Sequence, residues 1–319
     1  MDESRTDDGF VDMSAGGSDG PEGSETIAVD HEVALDLRPR GTAQILDFAV
    51  EILMKRVVPI VGVCALIWLP IRILMPFVNE AQASMLAGGS GVEGGVESSM
   101  VIVAAFLATA LGQILASVAS IATVTLFVYG DLVGRSVDVW DACRGALRRI
   151  FGLFGVMLVT GLAVGLTMGI LVLLSFLCPI FFPVTFAVYF YLLWRLAVAP
   201  SSLVLEDLGV LEAIRRSWDL SKGSFWRWAG VTFLTYMLVM GVAAPVGILD
   251  EPMTRSWVAE QIGLPDAVVQ IIFVVVGAVM AGLTTAFSAA AQTVYYLDLR
   301  MRRDGLDLLM RLERLNALG

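Results

Sequence analysis

The stretch IFGLFGVMLVTGLAVGLTMGILVLLSFLCPIFFPVTFAVYFYLLWRLAVA, residues 150–199, decides the fold, because Arg195 is its one charged side chain. A helix rises 1.5 Å per residue, so crossing roughly 30 Å of hydrocarbon takes about 20 apolar residues. A run of this length covers that distance twice. Cys178 and Pro179 interrupt it, and its length favours a tight hairpin there over the alternative of one long interrupted segment.

Four further stretches meet the same criterion, so six spans are expected, over residues 57–78, 100–129, 150–176, 180–199, 228–248 and 267–296. Composition agrees: 57% of the 319 residues are hydrophobic and only 16% charged, far from a soluble average of about half and about a quarter. The mean hydropathy is +0.79. The net charge of −10 says little about this membrane part, because eleven acidic residues against Arg5, Arg38 and Arg40 precede Thr42. That divides the chain into an acidic tail, residues 1–41, and a membrane domain, residues 42–319. The tail is rich in Gly, Ser, Asp and Glu and has no apolar periodicity, so it is expected to be disordered on the cytoplasmic side. It lacks the basic-then-apolar order of a signal peptide, which leaves the first span as the insertion signal.

Orientation follows from where the basic residues flank the spans. Residues 79–99 hold none and residues 249–265 hold only Arg255. The alternate connections hold Arg135, Arg144, Arg148 and Arg149, then Arg215, Arg216, Lys222 and Arg227; Lys55 and Arg56 precede the first span, and Arg300, Arg302 and Arg303 follow the last. Both termini are therefore expected in the cytoplasm. Trp218, Trp226 and Trp228 supply interfacial aromatics at that boundary.

The segments entering spans one, three and five repeat a pattern. Asp47 precedes Lys55 and Arg56, Asp141 precedes Arg148 and Arg149, and Glu212 precedes Arg215, Arg216 and Lys222, each in a short amphipathic stretch with acid early and base late. That order suits the dipole of a helix lying on the membrane surface. Spans two and six also match, each with one glutamine, Gln113 and Gln292, and each ending in Tyr-x-Asp-Leu at Tyr129 to Leu132 and Tyr296 to Leu299. The fold class expected is an all-α polytopic membrane bundle of six transmembrane helices in three units, each an interfacial helix plus a hairpin.

Catalytic and metal chemistry finds little to work with. His31 lies in the tail, and Cys64, Cys143 and Cys178 are isolated, so no cofactor, zinc site or disulfide is expected. An enzyme is not expected, because the spans hold no deep carboxylate and no histidine. Of the intramembrane polar groups, Arg72 and Arg195 lie close enough to span ends to snorkel to the headgroups. Gln113, Gln292, Thr109, Ser117, Thr285 and Ser288 could line a path. Small residues at four-residue spacing, Gly161, Gly165 and Gly169 in span three and Gly277, Ala281 and Thr285 in span six, let helix backbones approach within the bundle.

The most distinctive residues gather at the cytoplasmic interface. Arg195, Glu206, Arg215, Arg216, Lys222, Asp298 and Arg300 form a candidate polar site there, with Glu206 or Asp298 pairing an arginine beside an anionic headgroup. The stretch from Pro200 to Trp226 and the ending Tyr295-Tyr296-Leu297-Asp298-Leu299-Arg300 resemble a broad group of bacterial six-span membrane proteins. That group includes the membrane domain attached to some glycerophosphodiester phosphodiesterases and the YciC-like proteins. The resemblance implies the membrane part standing alone, without the soluble phosphodiesterase barrel. The function expected is a non-catalytic scaffold or accessory to envelope or lipid-related processes, in contact with the bilayer, anionic headgroups or a membrane-protein partner, and not with nucleic acid. The alternative is a permease or lipid transporter with its path between the two long spans.

Overall fold

A computed structural model describes residues 41–87, 96–133, 139–178, 181–249 and 252–305. The acidic tail falls outside these residues apart from Gly41. The described chain is an all-α bundle: α1 (Thr42–Lys55), α2 (Val57–Ala87), α3 (Val96–Val133), α4 (Val139–Leu177), α5 (Phe181–Leu196), α6 (Ala199–Glu206), α7 (Val210–Leu220), α8 (Phe225–Leu249), α9 (Pro252–Ile262) and α10 (Asp266–Asp304). Six segments are long and apolar enough to cross a membrane: Val57–Val78, Val103–Leu132, Trp140–Phe176, Phe181–Glu206, Phe225–Ala244 and Asp266–Asp304.

Helix α10 organises the packing. It lies against α2, α3, α8 and α1, and its buried residues are concentrated from Ala286 to Met301, toward the end of the bundle where α1, α6 and α7 sit. Toward its other end, Gly282 lets α10 cross α2 at close range, since a β-carbon there would stand 2.7 Å from the Ala65 backbone nitrogen. The outer faces of the spans stay apolar and exposed, for example Leu162, Leu166, Ile170 and Leu173 on α4 and Phe233 and Met237 on α8. A hydrocarbon solvent leaves nothing to gain from hiding them.

The first and last units form as expected. Helices α1 and α7 begin alike, each behind a glycine whose backbone N–H donates to the side chain three residues on, Gly41 to Gln44 at 2.9 Å and Gly209 to Glu212 at 3.1 Å. α1 gives way to α2 at Arg56, where φ is −135°. α7 gives way to α8 through a turn at Gly223, whose φ of +75° suits a residue without a β-carbon. The middle unit departs from the expectation. Its amphipathic stretch and its span are one continuous helix, α4, because nothing around Arg148 to Phe151 breaks the helix, while Gly152 and Gly155 stay helical and pack under Leu203 and Val210.

The stretch from 150 to 199 is a hairpin, with α4 packed against α5 and the Ser175 and Thr185 hydroxyls 3.1 Å apart. Two elements were not foreseen. α9 occupies the connection between spans five and six, starting on a proline whose missing N–H costs nothing at a first helical position. α6 follows α5 after a short break and carries Glu206 at its end.

Candidate polar site at the basic end

Lys55, Arg56, Arg149, Arg216, Arg227, Arg300 and Arg302 all make ion pairs at the end of the bundle carrying α1, α6 and α7. The residues proposed from sequence as one site separate there into three groups.

The first group is a clamp joining α6, α7 and α10. Tyr296 donates its hydroxyl to Glu206, and Arg216 donates Nε to both Glu206 oxygens at 3.2 and 3.0 Å and Nη2 to Asp304. Arg300 Nε stands 3.4 Å from Glu206 Oε1 and 3.6 Å from Asp304 Oδ2, without the alignment of a hydrogen bond. Desolvation works against the Arg216 charge, but Glu206 and Asp304 outweigh it and hold that guanidinium protonated above its ordinary range. Two cations and two carboxylates make the clamp neutral, which is why it can sit partly buried.

The second group surrounds Arg195. Its guanidinium lies 4.6 Å from the Trp194 ring centre, 4.9 Å from Trp218 and 5.3 Å from Tyr191. Nη1 donates to the Trp218 carbonyl at 3.0 Å, and Ser217 donates its hydroxyl back to the Arg195 carbonyl at 2.7 Å. The snorkelling expected of Arg195 gives way to an aromatic box tying α5 to α7. Arg215 belongs to none of these groups and is exposed on α7.

The third group centres on Asp298. Its carboxylate accepts from Arg227 Nη1 at 2.7 Å and from Arg302 Nε at 3.1 Å, with 1% of its side chain exposed. Beside it opens a cleft of about 560 Å³ lined by Thr42, Lys222, Trp226, Arg227, Arg302 and Arg303, among others. Lys222 donates to Asp219 at 2.7 Å, and that bond holds the Asp219 carboxyl below the usual range.

The Arg227–Asp298 pair is one of three. Arg56 Nε lies 3.4 Å from Asp131, and Arg149 Nε lies 3.2 Å from Asp207. In every unit an arginine near the start of the first span holds an aspartate near the end of the second, and each aspartate is followed by leucine, Leu132, Leu208 and Leu299. The Tyr-x-Asp-Leu match of spans two and six is thus the visible part of a threefold device. The third copy escaped notice because Asp207 follows a short extra helix and lacks the tyrosine.

The two glutamines do not share a path. Gln113 points its amide at Met75 on α2, 3.8 Å from the sulfur, while Gln292 lines a cavity of about 200 Å³ with Thr232, Thr235 and Tyr236 of α8. Between α3 and α10, Thr125 and Thr293 meet at 3.1 Å among buried Val124, Val128, Ala286 and Ala290. Thr109, Ser117 and Ser288 donate to carbonyls of their own helices. Arg72 lines a cavity of about 230 Å³ with Trp68 of α2 and Thr284 of α10. The stripe of Gly277, Ala281 and Thr285 does pack within the bundle, with the Arg72 guanidinium 3.3 Å from where a Gly277 β-carbon would stand. The stripe of Gly161, Gly165 and Gly169 does not, for it is exposed with nothing within 4 Å of any added β-carbon.

A family match falls on this same region. Residues 151–299 match the model of a domain of unknown function, DUF7847. The match takes in the stretch from Pro200 to Trp226 and the motif through Leu299, but it carries no link to the phosphodiesterase membrane domain or to the YciC-like proteins. No curated protein and no solved structure matches the chain.

Proposed function

We propose that this multi-pass membrane protein is a non-catalytic organiser of the bacterial inner membrane, its basic end in the cytoplasm holding a membrane-protein partner or anionic headgroups. The reading is supported by a division among the charges. The inner ones, Glu206, Arg216, Arg300 and Asp304, are spent on one another, while Arg144, Arg148 and Arg215 stand exposed around them. Trp140 and Phe151, also exposed, flank the α4 arginines, a combination suited to a surface that meets headgroups and protein together.

Reversing the exposed charges, with Arg144→Glu, Arg148→Glu and Arg215→Glu in one chain, should lower the recovery of cross-linked membrane proteins from native membranes at unchanged abundance of the chain. Unchanged recovery would overturn the reading. So would a solute flux that depends on Gln292 in vesicles holding only the purified chain. Orientation has its own test: alkaline phosphatase fused after Gly91 should be active, and a fusion that behaves as cytoplasmic reverses the placement of the basic end.

A further inference from the structure

We infer that the cavity between α8 and α10 binds, from within the bilayer, the head of an uncharged, hydroxyl-bearing lipid of the diacylglycerol class.

The lining is the first argument. Thr232, Thr235 and Tyr236 of α8 converge with Ser288 and Gln292 of α10 on a space of about 200 Å³. Hydroxyls elsewhere in the spans donate to carbonyls of their own helices, as Thr109, Ser117 and Thr284 do. Ser288 does the same. Thr235 does not, and its hydroxyl oxygen is buried without a hydrogen-bond partner. Thr232, Tyr236 and Gln292 are exposed, and none of the three hydrogen-bonds its side chain among the described residues. Facing water they would be solvated. Facing hydrocarbon, each unmade bond carries a penalty that the polar atoms of a ligand relieve.

Depth is the second argument. Arg227 and Asp298 pair at 2.7 Å where the span Phe225–Ala244 begins. At 1.5 Å per residue, Gln292 lies about 9 Å deeper than that pair along α10, and Thr235 about 12 Å deeper along α8. A phosphate stays with the headgroups, because an ionised group is disfavoured in hydrocarbon. An uncharged head can settle at this depth, and no charged side chain lines the cavity among the described residues.

The chemistry of the lining narrows the class. The Gln292 amide offers two N–H donors and a carbonyl acceptor, so its complement must donate as well as accept. A free hydroxyl beside ester carbonyls does both, whereas a quinone only accepts. A volume of about 200 Å³ is below the about 300–1,000 Å³ of sites that enclose a whole drug-sized ligand. It suits a glycerol-sized head whose acyl chains stay in the bilayer beyond Tyr236, 54% exposed at the rim.

The test uses the full chain purified into phosphatidylcholine nanodiscs and photolysed with a diazirine-bearing diacylglycerol, the adducts being mapped by mass spectrometry. Saturable adducts are expected on the peptides holding Thr232 to Val239 and Ser288 to Tyr295, competed by unlabelled diacylglycerol but not by added phosphatidylglycerol. Gln292→Leu/Thr235→Val should weaken labelling about tenfold, the scale of two lost hydrogen bonds. Both changes remove polar atoms without partners among the described residues, so the melting temperature should hold or rise. Tyr236→Phe, which loses one exposed hydroxyl, should weaken labelling by a smaller factor, and Gln113→Leu on α3 should label like the native chain. Equal labelling in all four chains, or equal loss in Gln113→Leu, overturns the proposal, as do adducts spread evenly over the bilayer-facing helices. Competition by a tailed quinone as strong as that by diacylglycerol would assign the cavity to a carbonyl head and overturn the hydroxyl. No second protein is present, and Arg144, Arg148 and Arg215 lie outside the cavity, so this proposal and the partner reading can each fail alone.

Discussion

The end of the last unit and the end of the middle unit carry the same ion pair in different surroundings. At Asp298 the carboxylate is 1% exposed and held by two arginines; at Asp207 it is 80% exposed and held by Arg149 alone. Asp131 in the first unit lies between them, 18% exposed and paired with Arg56. The difference follows from the neighbours. α10 runs through the centre of the bundle, so its aspartate is covered by α8, whereas α6 stops short and Asp207 sits in the loop before α7. One sequence device can therefore be a structural keystone or a surface ornament, depending on what packs over it.

Removing charge without changing shape tests that comparison directly. Asp298→Asn should have the largest effect, about 3–5 kcal/mol of destabilisation, because it removes the buried carboxylate that Arg227 pairs with at 2.7 Å. A large fall in the melting temperature in detergent is expected; a native-like temperature would mean that the pair is not needed. Second in size is Gly282→Ala, where the new methyl meets the Ala65 backbone and the cost of overpacking is about 1–3 kcal/mol.

Asp131→Asn should come next, at about 1–2 kcal/mol, between the limits for exposed and buried pairs. Asp207→Asn should be the mildest of the three, below about 1 kcal/mol; asparagine also tolerates the left-handed conformation at φ +53°. If the three asparagine variants melt together, burial is not what separates the units. Gly165→Ala closes the series. With open space around it, it should leave the melting temperature unchanged or slightly raised, since alanine is the better helix former, and its contrast with Gly282→Ala separates the open stripe from the close crossing.

Much of the fold could be read directly. The apolar runs located all six spans, three of them within a few residues and the third, fourth and sixth short at one end by 10, 7 and 8 residues, and the acid-then-base stretches located α1 and α7. The site was legible only as a neighbourhood. Glu206, Arg216 and Asp298 were named, yet the partners they take from other helices, Tyr296, Asp304 and Arg227, lie 90, 88 and 71 residues away, in a pattern without fixed spacing, while Arg300 and Asp304 keep the i,i+4 spacing of one helix. Arg195 shows the limit well, since an arginine near a span end looks the same in sequence whether it reaches headgroups or stacks among three rings. The two small-residue stripes show it again: four-residue spacing puts small residues on one helix face but does not say whether another helix covers that face.

What the sequence determined by itself is the number of crossings and the helical class, because the length and polarity of a run decide its solvent and the unpaired backbone leaves a helix little alternative in hydrocarbon. Tertiary structure alone decided which charges are spent on each other and which stand exposed on the surface. Burial and pairing depend on helices brought together from distant parts of the chain, and that is what separates the clamp at Glu206 from the exposed Arg144, Arg148 and Arg215.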